Sequence, residues 1–355
     1  MNMKKVQILR GVALSLIALI ASTSANADMA FHYTAGNFHD GLANVSVNDK
    51  QGYIDKSGNA VIEPKYQDAR DFHDGIAVVK ENGKWLFIDK TGKPVINQKF
   101  DEAYLFFEGL AQVKIDGKWG FINTSGEMVV RPKYDDADIF HDGLARVSLN
   151  NKYGFIDQSG AEIISITFDH ARSFSHGLAP ASVSGKWGLI NRQGKFVTEA
   201  VFKDVQEVSE GLALIEGWGE YDYLRLTDGK WGKFATGKYD QMYAGNCKDG
   251  LMRVKSRENG KYGFIDDKST EVVKPTFMSV HDFSEGLASV LSAEGAGYID
   301  RKGRYVVRPH YDNAEDFSEG LAAVRLDGRT GYIDTKGKMA IFPAKLEKSL
   351  APYSD

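Results

Sequence analysis

The stretch Phe140-His141-Asp142-Gly143-Leu144-Ala145 recurs in phase along most of the chain. Its glycine marks one register position in nine consecutive units, and most neighbouring copies lie 34 residues apart. A fixed period of this length indicates a repeat architecture, so we interpret the chain as one tandem array. The nine register glycines are Gly41, Gly75, Gly109, Gly143, Gly177, Gly211, Gly250, Gly286 and Gly320.

Each unit has the pattern of short β-strands. After the register glycine, Ala111, Val113 and Ile115 alternate with a second set of side chains, which is the period of a strand. The pair Asp116-Gly117 then gives a strong hairpin signal. A second strand of the type Gly120-Phe121-Ile122-Asn123 leads through another turn to a third strand. No segment has a helical period. A proline follows the third strand in several units, where we expect a strand end or edge: Pro64, Pro132, Pro275, Pro309 and Pro343.

One unit of three or four strands is too small to bury its own apolar face, so neighbouring units must stack. Two all-β arrangements fit nine tandem repeats. In a β-propeller the units are blades around an axis, and the order of signals in each unit parallels such blades. In an open β-superhelix, or solenoid, the units wind without closing, and nine units exceed the usual number of blades. We expect the propeller-like arrangement and keep the open superhelix as the alternative.

The repeated strings resemble the WG (KWG) repeats of bacterial exported proteins. They include Lys118-Trp119-Gly120, Lys186-Trp187-Gly188 and Lys230-Trp231-Gly232, in phase with Gly-Leu-Ala and Gly-Tyr-Ile-Asp. The resemblance covers roughly residues 31–346. It implies a β-rich protein with a binding or scaffolding role. The chain departs from the pattern at Leu86, which replaces the motif glycine, and in the sixth unit.

The N-terminus has the three features of a signal peptide. Lys4, Lys5 and Arg10 precede the apolar run 11–21, and Ala25-Asn26-Ala27 has the small-x-small pattern of a cleavage site. The apolar run is too short to span a membrane comfortably. We therefore expect cleavage after Ala27, a periplasmic or secreted protein, and no membrane span in the mature chain.

Five segments are predicted from these patterns. They are a signal peptide (1–27), WG-type repeats (28–216), an irregular sixth repeat (217–246), further WG-type repeats (247–346) and a C-terminal tail (347–355).

Composition excludes several classes of protein. Hydrophobic residues make up 43% and charged residues 26%, which is typical of a folded domain. The net charge of −4 gives no basic surplus for nucleic-acid binding. A single cysteine, Cys247, excludes an intramolecular disulfide framework and a cysteine-based zinc site. We find no catalytic motif, and predict no catalytic residue, metal or cofactor.

The sixth repeat is the candidate binding site. It is longer than its neighbours and rich in Trp and Tyr, and a local failure of a consistent pattern can mark function. Decay of an unneeded repeat is the alternative explanation. The candidate residues are Trp218, Tyr221, Tyr223, Trp231, Tyr239 and Tyr243.

Two functions remain open at this point. The first is an exported, non-enzymatic binding or scaffolding protein that presents its repeat surface to a protein or a cell-envelope polymer. The alternative is a hydrolase, or another enzyme, with acidic residues from several units in an axial groove. Acids that precede the register glycines, such as Asp142, could form a ring of carboxylates.

Overall fold

A computed structural model describes residues 33–209, 212–216, 221–227, 230–234, 238–240, 250–266 and 268–353, with the backbone alone for 221–234. The predicted signal peptide and Cys247 lie outside this part of the chain. The described residues form nine antiparallel sheets, here numbered I to IX in chain order.

The strands of the first three sheets are as follows. Sheet I contains β1 (Tyr33–His39), β2 (Leu42–Val47), β3 (Lys50–Asp55) and β4 (Ala60–Tyr66). Sheet II contains β5 (Asp68–Ala69), β6 (Ile76–Glu81) and β7 (Lys84–Asp89). Sheet III contains β8 (Glu102–Ala103), β9 (Leu110–Ile115), β10 (Lys118–Asn123) and β11 (Met128–Tyr134).

The next three sheets include the irregular unit. Sheet IV contains β12 (Asp136–Ala137), β13 (Leu144–Leu149), β14 (Lys152–Asp157) and β15 (Glu162–Phe168). Sheet V contains β16 (His170–Ala171), β17 (Leu178–Val183) and β18 (Lys186–Asn191). Sheet VI contains β19 (Asp204–Ser209), β20 (Leu212–Glu216), β21 (Tyr221–Thr227) and β22 (Lys230–Phe234).

The last three sheets return to the regular pattern. Sheet VII contains β23 (Tyr239–Asp240), β24 (Leu251–Ser256), β25 (Tyr262–Asp266) and β26 (Glu271–Phe277). Sheet VIII contains β27 (Ser279–Val280), β28 (Leu287–Ser292), β29 (Gly295–Asp300) and β30 (Tyr305–Tyr311). Sheet IX contains β31 (Asn313–Ala314), β32 (Leu321–Leu326), β33 (Arg329–Asp334) and β34 (Met339–Ile341).

The middle strands of each sheet are covered on both faces. In β9 the side chains of Ala111 and Val113 are fully buried, and that of Gln112, on the opposite face, is 6% exposed. The sequence predicted strand alternation, which often marks one buried face, but here each sheet packs between two neighbours. The predicted hairpin turn is confirmed, because Asp116 and Gly117 both have positive φ, as a tight β-turn of this type requires.

The motif glycine of the third strand is explained by a close backbone approach. A Cβ added at Gly120 would lie 2.4 Å from the carbonyl oxygen of Val130 in the fourth strand. Leu86 stands at the equivalent position of sheet II, and there residues 94–100 make only isolated bridges to β7. A side chain at this position is therefore accommodated where the fourth strand does not form.

One aromatic contact repeats between consecutive sheets. The ring on the third strand of one sheet packs against the phenylalanine that precedes the register glycine of the next. The six pairs have ring centroids 4.7–5.0 Å apart: Tyr53–Phe72, Phe87–Phe106, Phe121–Phe140, Phe155–Phe174, Phe264–Phe283 and Tyr298–Phe317.

The same contact joins the last sheet to the first. Tyr332 of sheet IX packs against Phe38 of sheet I at 4.9 Å, and its hydroxyl donates to the carbonyl oxygen of Gly36 at 2.6 Å. The Ser318 hydroxyl also donates to the carbonyl oxygen of Phe38, at 2.5 Å. Because the chain returns to its first sheet, the repeats form a closed, propeller-like ring, and the open superhelix is excluded.

The C-terminal segment differs from the prediction of a chain with no helix after the signal peptide. A helix α1 (Pro343–Leu350) and a short 3-10 turn (Ala351–Tyr353) follow sheet IX. Two helical turns are too few to give a periodic signal, and Pro343 occupies the start of the helix rather than a strand edge. No helix in the described residues has the length and apolar character that a membrane crossing requires.

Candidate functional site

The structure describes the predicted aromatic site of the sixth repeat only in part. Trp218 and Tyr243 lie outside the described residues, and the backbone places Tyr221 and Tyr223 in β21 and Trp231 in β22. Tyr239, in β23, is described with its side chain, which is 2% exposed. Its hydroxyl donates to Glu271 Oε2 at 3.0 Å.

The backbone register changes the alignment of the sixth unit with its neighbours. In sheet VI, Tyr221 is paired with Glu216, which in turn is paired with Asp204. Trp187 holds the same place in sheet V, so Tyr221 occupies the position of the motif tryptophan. The string 230–232 lies in the fourth strand, whereas the regular Lys-Trp-Gly strings lie in the third.

A cleft of about 610 Å³ opens between sheets IV and V and reaches sheet VI. We call it the IV–V cleft. Side chains of charged, aromatic and amide type line it. They include Asp136, Asp138, Arg146, His170, Arg172 and Trp187. Among the described residues, no group of three or more His, Cys, Asp or Glu side chains is placed to hold a metal ion.

Arg146, on β13, holds two carboxylates at one side of the cleft. Its Nε lies 2.7 Å from Asp138 Oδ2 and its guanidinium lies 2.8 Å from Asp136 Oδ2, with the arginine side chain only 12% exposed. Ser173, from sheet V, donates its hydroxyl to Asp138 at 2.8 Å. Burial alone would raise the pKa of Asp138, but the hydrogen bonds from Arg146 and Ser173 outweigh it and hold that pKa below its usual value.

Arg172 lies at the opposite side of the cleft and joins sheets V and VI. Its guanidinium donates to the carbonyl oxygen of Val205 and pairs with Asp204 at 3.1 Å. The same guanidinium lies 4.8 Å from the ring centroid of Trp187, within range of a cation–π contact. Both arginines of the cleft are therefore neutralised by carboxylates of this chain.

Planar groups form a continuous row, here called the ring ladder, along the cleft wall. The Arg146 guanidinium lies 5.1 Å from the Tyr153 ring, and Tyr153 lies 5.6 Å from His170. His170 in turn stacks on Trp187 at 6.1 Å with an interplanar angle of 12°, and Arg172 covers Trp187 beyond it. The ladder consists of Arg146, Tyr153, His170, Trp187 and Arg172.

Sequence reasoning missed the IV–V cleft, although a signal was present. Arg146 occupies the third residue of the second strand, where the other units have different residues such as Gln112 and Pro180. His170 and Arg172 are likewise particular to their unit. Since repeated positions reflect packing, residues that vary at a repeated position are the better guide to a site.

The acids before the register glycines have a structural partner. Asp40 accepts the backbone N–H of Gly75 at 2.6 Å, and Asp142 accepts that of Gly177 at 2.8 Å. Each bond runs from one sheet to the next. These carboxylates therefore link neighbouring sheets, which accounts for their repetition without a ligand.

The ring is similar in fold to several solved structures of low sequence identity. A eukaryotic initiation factor superposes with a TM-score of 0.58 at 12% identity, over 86% of this chain and 94% of that chain. Apo AztD from Citrobacter koseri gives a TM-score of 0.39 at 11% identity, over 86% and 92% of the two chains. Hsv2 from Kluyveromyces lactis gives 0.32 at 10% identity, over 85% and 93%. No curated protein matches the sequence.

The family is identified by the repeat itself. A model described as the WG containing repeat matches seven segments, and these cover more than half of the chain. They are residues 52–85, 87–119, 119–153, 153–187, 187–216, 262–291 and 297–329. Residues 217–261, which include the irregular unit, fall between two matches. The chain thus belongs to the family of proteins built from the WG containing repeat.

Proposed function

We propose that this chain is an exported, non-enzymatic binding protein that presents its ring of repeats to a protein or a cell-envelope polymer. The IV–V cleft is its principal contact site. The observation that carries this proposal is the ring ladder, because its aromatic and guanidinium groups are held in place by neighbouring residues before any partner arrives. Fixed planar groups with a few polar atoms are typical of a preformed binding site.

The state of Asp138 favours binding over hydrolysis. A hydrolase that uses two carboxylates needs one of them protonated as the general acid, which requires a raised pKa. The bonds from Arg146 and Ser173 instead lower the pKa of Asp138, so this carboxylate is ionised near neutral pH. An arginine shared by Asp136 and Asp138 organises the cleft for recognition.

The aromatic residues of the sixth repeat extend the same proposal. Gln206 of sheet VI lines the cleft, and Tyr221 occupies the register position that Trp187 holds in sheet V. We therefore propose that a partner in the cleft extends toward β21. Export follows from the predicted signal peptide, and a fusion of residues 1–40 to a reporter should be secreted and cut after Ala27.

A capture experiment tests the proposal. The mature protein, residues 28–355, is immobilised and incubated with solubilised envelope of the native host, and the retained protein and polymer are measured. Trp187→Phe, which shortens the ring ladder, should reduce the retained material. Trp119→Phe is the matched control, because Trp119 has the same register position in sheet III but does not line the cleft.

Equal capture by both variants and the wild type would place the contact elsewhere on the ring and overturn the assignment of the cleft. Progressive release of soluble fragments from the captured polymer would instead support the hydrolase. Retention of the reporter fusion inside the cell with its N-terminus intact would refute export.

A further inference from the structure

The charges of the IV–V cleft are balanced within the protein. Arg146 is bonded to Asp136 and Asp138, and Arg172 is bonded to Asp204. A ligand with a full charge would have to displace one of these partners and leave its counter-charge unpaired, which is costly. The cleft therefore disfavours both acidic and cationic ligands.

Polar atoms remain that suit neutral hydroxyl groups. The Asp136 side chain is 46% exposed, so the carboxylate can accept further hydrogen bonds from a ligand. Gln206 is exposed at the cleft and carries both a donor and an acceptor in its amide. A hydroxyl group both donates and accepts, so it can bond to each of these atoms without changing the charge of the cleft.

The ladder supplies flat surfaces beside these polar atoms. The rings of Tyr153 and Trp187 are half-buried, and His170 stacks between them. Rings that are already packed lose little conformational freedom when a ligand covers them. A ligand with a flat apolar face and hydroxyl groups at its edge would satisfy both the ladder and the polar atoms.

We propose that the IV–V cleft binds a short neutral oligosaccharide. Sugar rings combine flat C–H faces with hydroxyl edges and carry no charge, and the cleft volume of about 610 Å³ is in the range of small-molecule sites. This inference rests on the proposed binding function and specifies its ligand as the neutral glycan part of the envelope.

Calorimetric titration of the mature protein tests the inference with trisaccharides of equal length. The neutral probes are chitotriose, cellotriose and maltotriose, the acidic probe is trigalacturonate, and the cationic probe is the glucosamine trimer. At least one neutral probe should bind, and both charged probes should bind at least about tenfold more weakly. Trp187→Phe should weaken binding of the neutral probe by about tenfold, whereas Trp119→Phe should leave it unchanged.

A second variant tests the charge balance itself. Asp136→Asn removes one of the two carboxylates bonded to Arg146, so the cleft gains positive character. Binding of trigalacturonate should then strengthen relative to the neutral probe. A charged trisaccharide that binds wild type more tightly than every neutral one would overturn the inference, as would unchanged binding in Trp187→Phe.

Failure of the ligand class and failure of the proposed function give different results. If no trisaccharide binds but envelope capture still depends on Trp187, the ligand class is wrong and the binding function stands. If capture is also unaffected, both proposals fall.

Discussion

Glu319, in sheet IX, accepts a hydrogen bond of 2.9 Å from the backbone N–H of Gly41, in sheet I. The same bond links Glu108 to Gly143, again at 2.9 Å, within the array. The joint between the two ends of the ring is therefore built like an internal joint. Lys56 adds a contact to Glu319 at 3.0 Å that also crosses from the first sheet to the last.

The closing joint should resist acid less well without Glu319. Burial tends to raise the pKa of this carboxyl, but the bonds from Lys56 and Gly41 hold it below its usual value. A lowered folded-state pKa stabilises the ring above the unfolded pKa, and this stability is lost as pH falls through the folded value. Glu319→Ala should cost about 1 kcal/mol at pH 7 in urea unfolding.

That difference between Glu319→Ala and wild type should shrink as the pH falls below about 4. Glu285→Ala, at the joint between sheets VIII and IX, is the internal comparison, because Glu285 accepts the N–H of Gly320 at 3.0 Å. A loss that is the same at pH 3 and pH 7 would contradict the role of the carboxylate charge.

The motif glycine should not tolerate a side chain where the fourth strand is present. Gly120→Ala places a methyl group 2.4 Å from the Val130 carbonyl oxygen, so the two strands must separate. We expect a loss of about 3 kcal/mol in chemical unfolding. Gly36→Ala is the control, since the nearest atom to its added Cβ lies at 3.8 Å. Equal stability of the two variants would show that the close approach does not constrain the sequence.

The C-terminal helix should act as a clasp over the closing joint. Leu346 of α1 is fully buried, and Ser349 accepts the backbone N–H of Ala60 in sheet I at 2.8 Å. Leu346→Ala should lower the free energy of unfolding by about 3 kcal/mol, as for other buried leucines. Lys348→Ala, at an exposed position of the same helix, should have little effect.

Hydrogen exchange gives a local readout of the clasp. The amide of Ala60 should exchange faster in Leu346→Ala, and amides of sheet IV should exchange no faster than the global loss of stability requires. Unchanged protection of Ala60 would show that the helix does not hold this joint.

The pair His281–Asp316 should titrate above an ordinary histidine. Its two side chains lie 3.0 Å apart across sheets VIII and IX. The hydrogen bond to Asp316 raises the pKa of His281, with a further contribution from Glu315, while burial and Arg253 oppose it. A raised folded-state pKa stabilises the ring below the unfolded value of about 6.5, and this stability is lost as pH rises through the folded value.

An NMR titration of the imidazole signals measures this shift directly. Asp316→Asn should return the His281 midpoint toward its ordinary value and remove the pH dependence that the pair gives to stability. A midpoint at or below about 6.5 in wild type would contradict the assigned hydrogen bond.

The repeat, the strand class and the turn types follow from the sequence because they depend on local spacing. Positive φ at Asp116 and Gly117, for example, is dictated by the hairpin itself. Closure was left as an alternative, because the pairing of Tyr332 with Phe38 depends on how small rotations between sheets add up. The ring ladder was missed for a similar reason, since His170 and Trp187 meet only when two units stack. The aromatic site in 217–243 stays a prediction.

Closure of the ring has a consequence for the order of folding. Contacts between consecutive sheets join segments about one repeat apart, whereas Glu319 and Gly41 are separated by 278 residues. Loop closure over such a distance is slow, so the last joint forms after the others. Until then, Phe38 and Tyr332 each present an uncovered aromatic face to solvent. A newly made chain can bury those faces within itself or against another molecule, and the competition between these routes sets the concentration above which the protein misassembles.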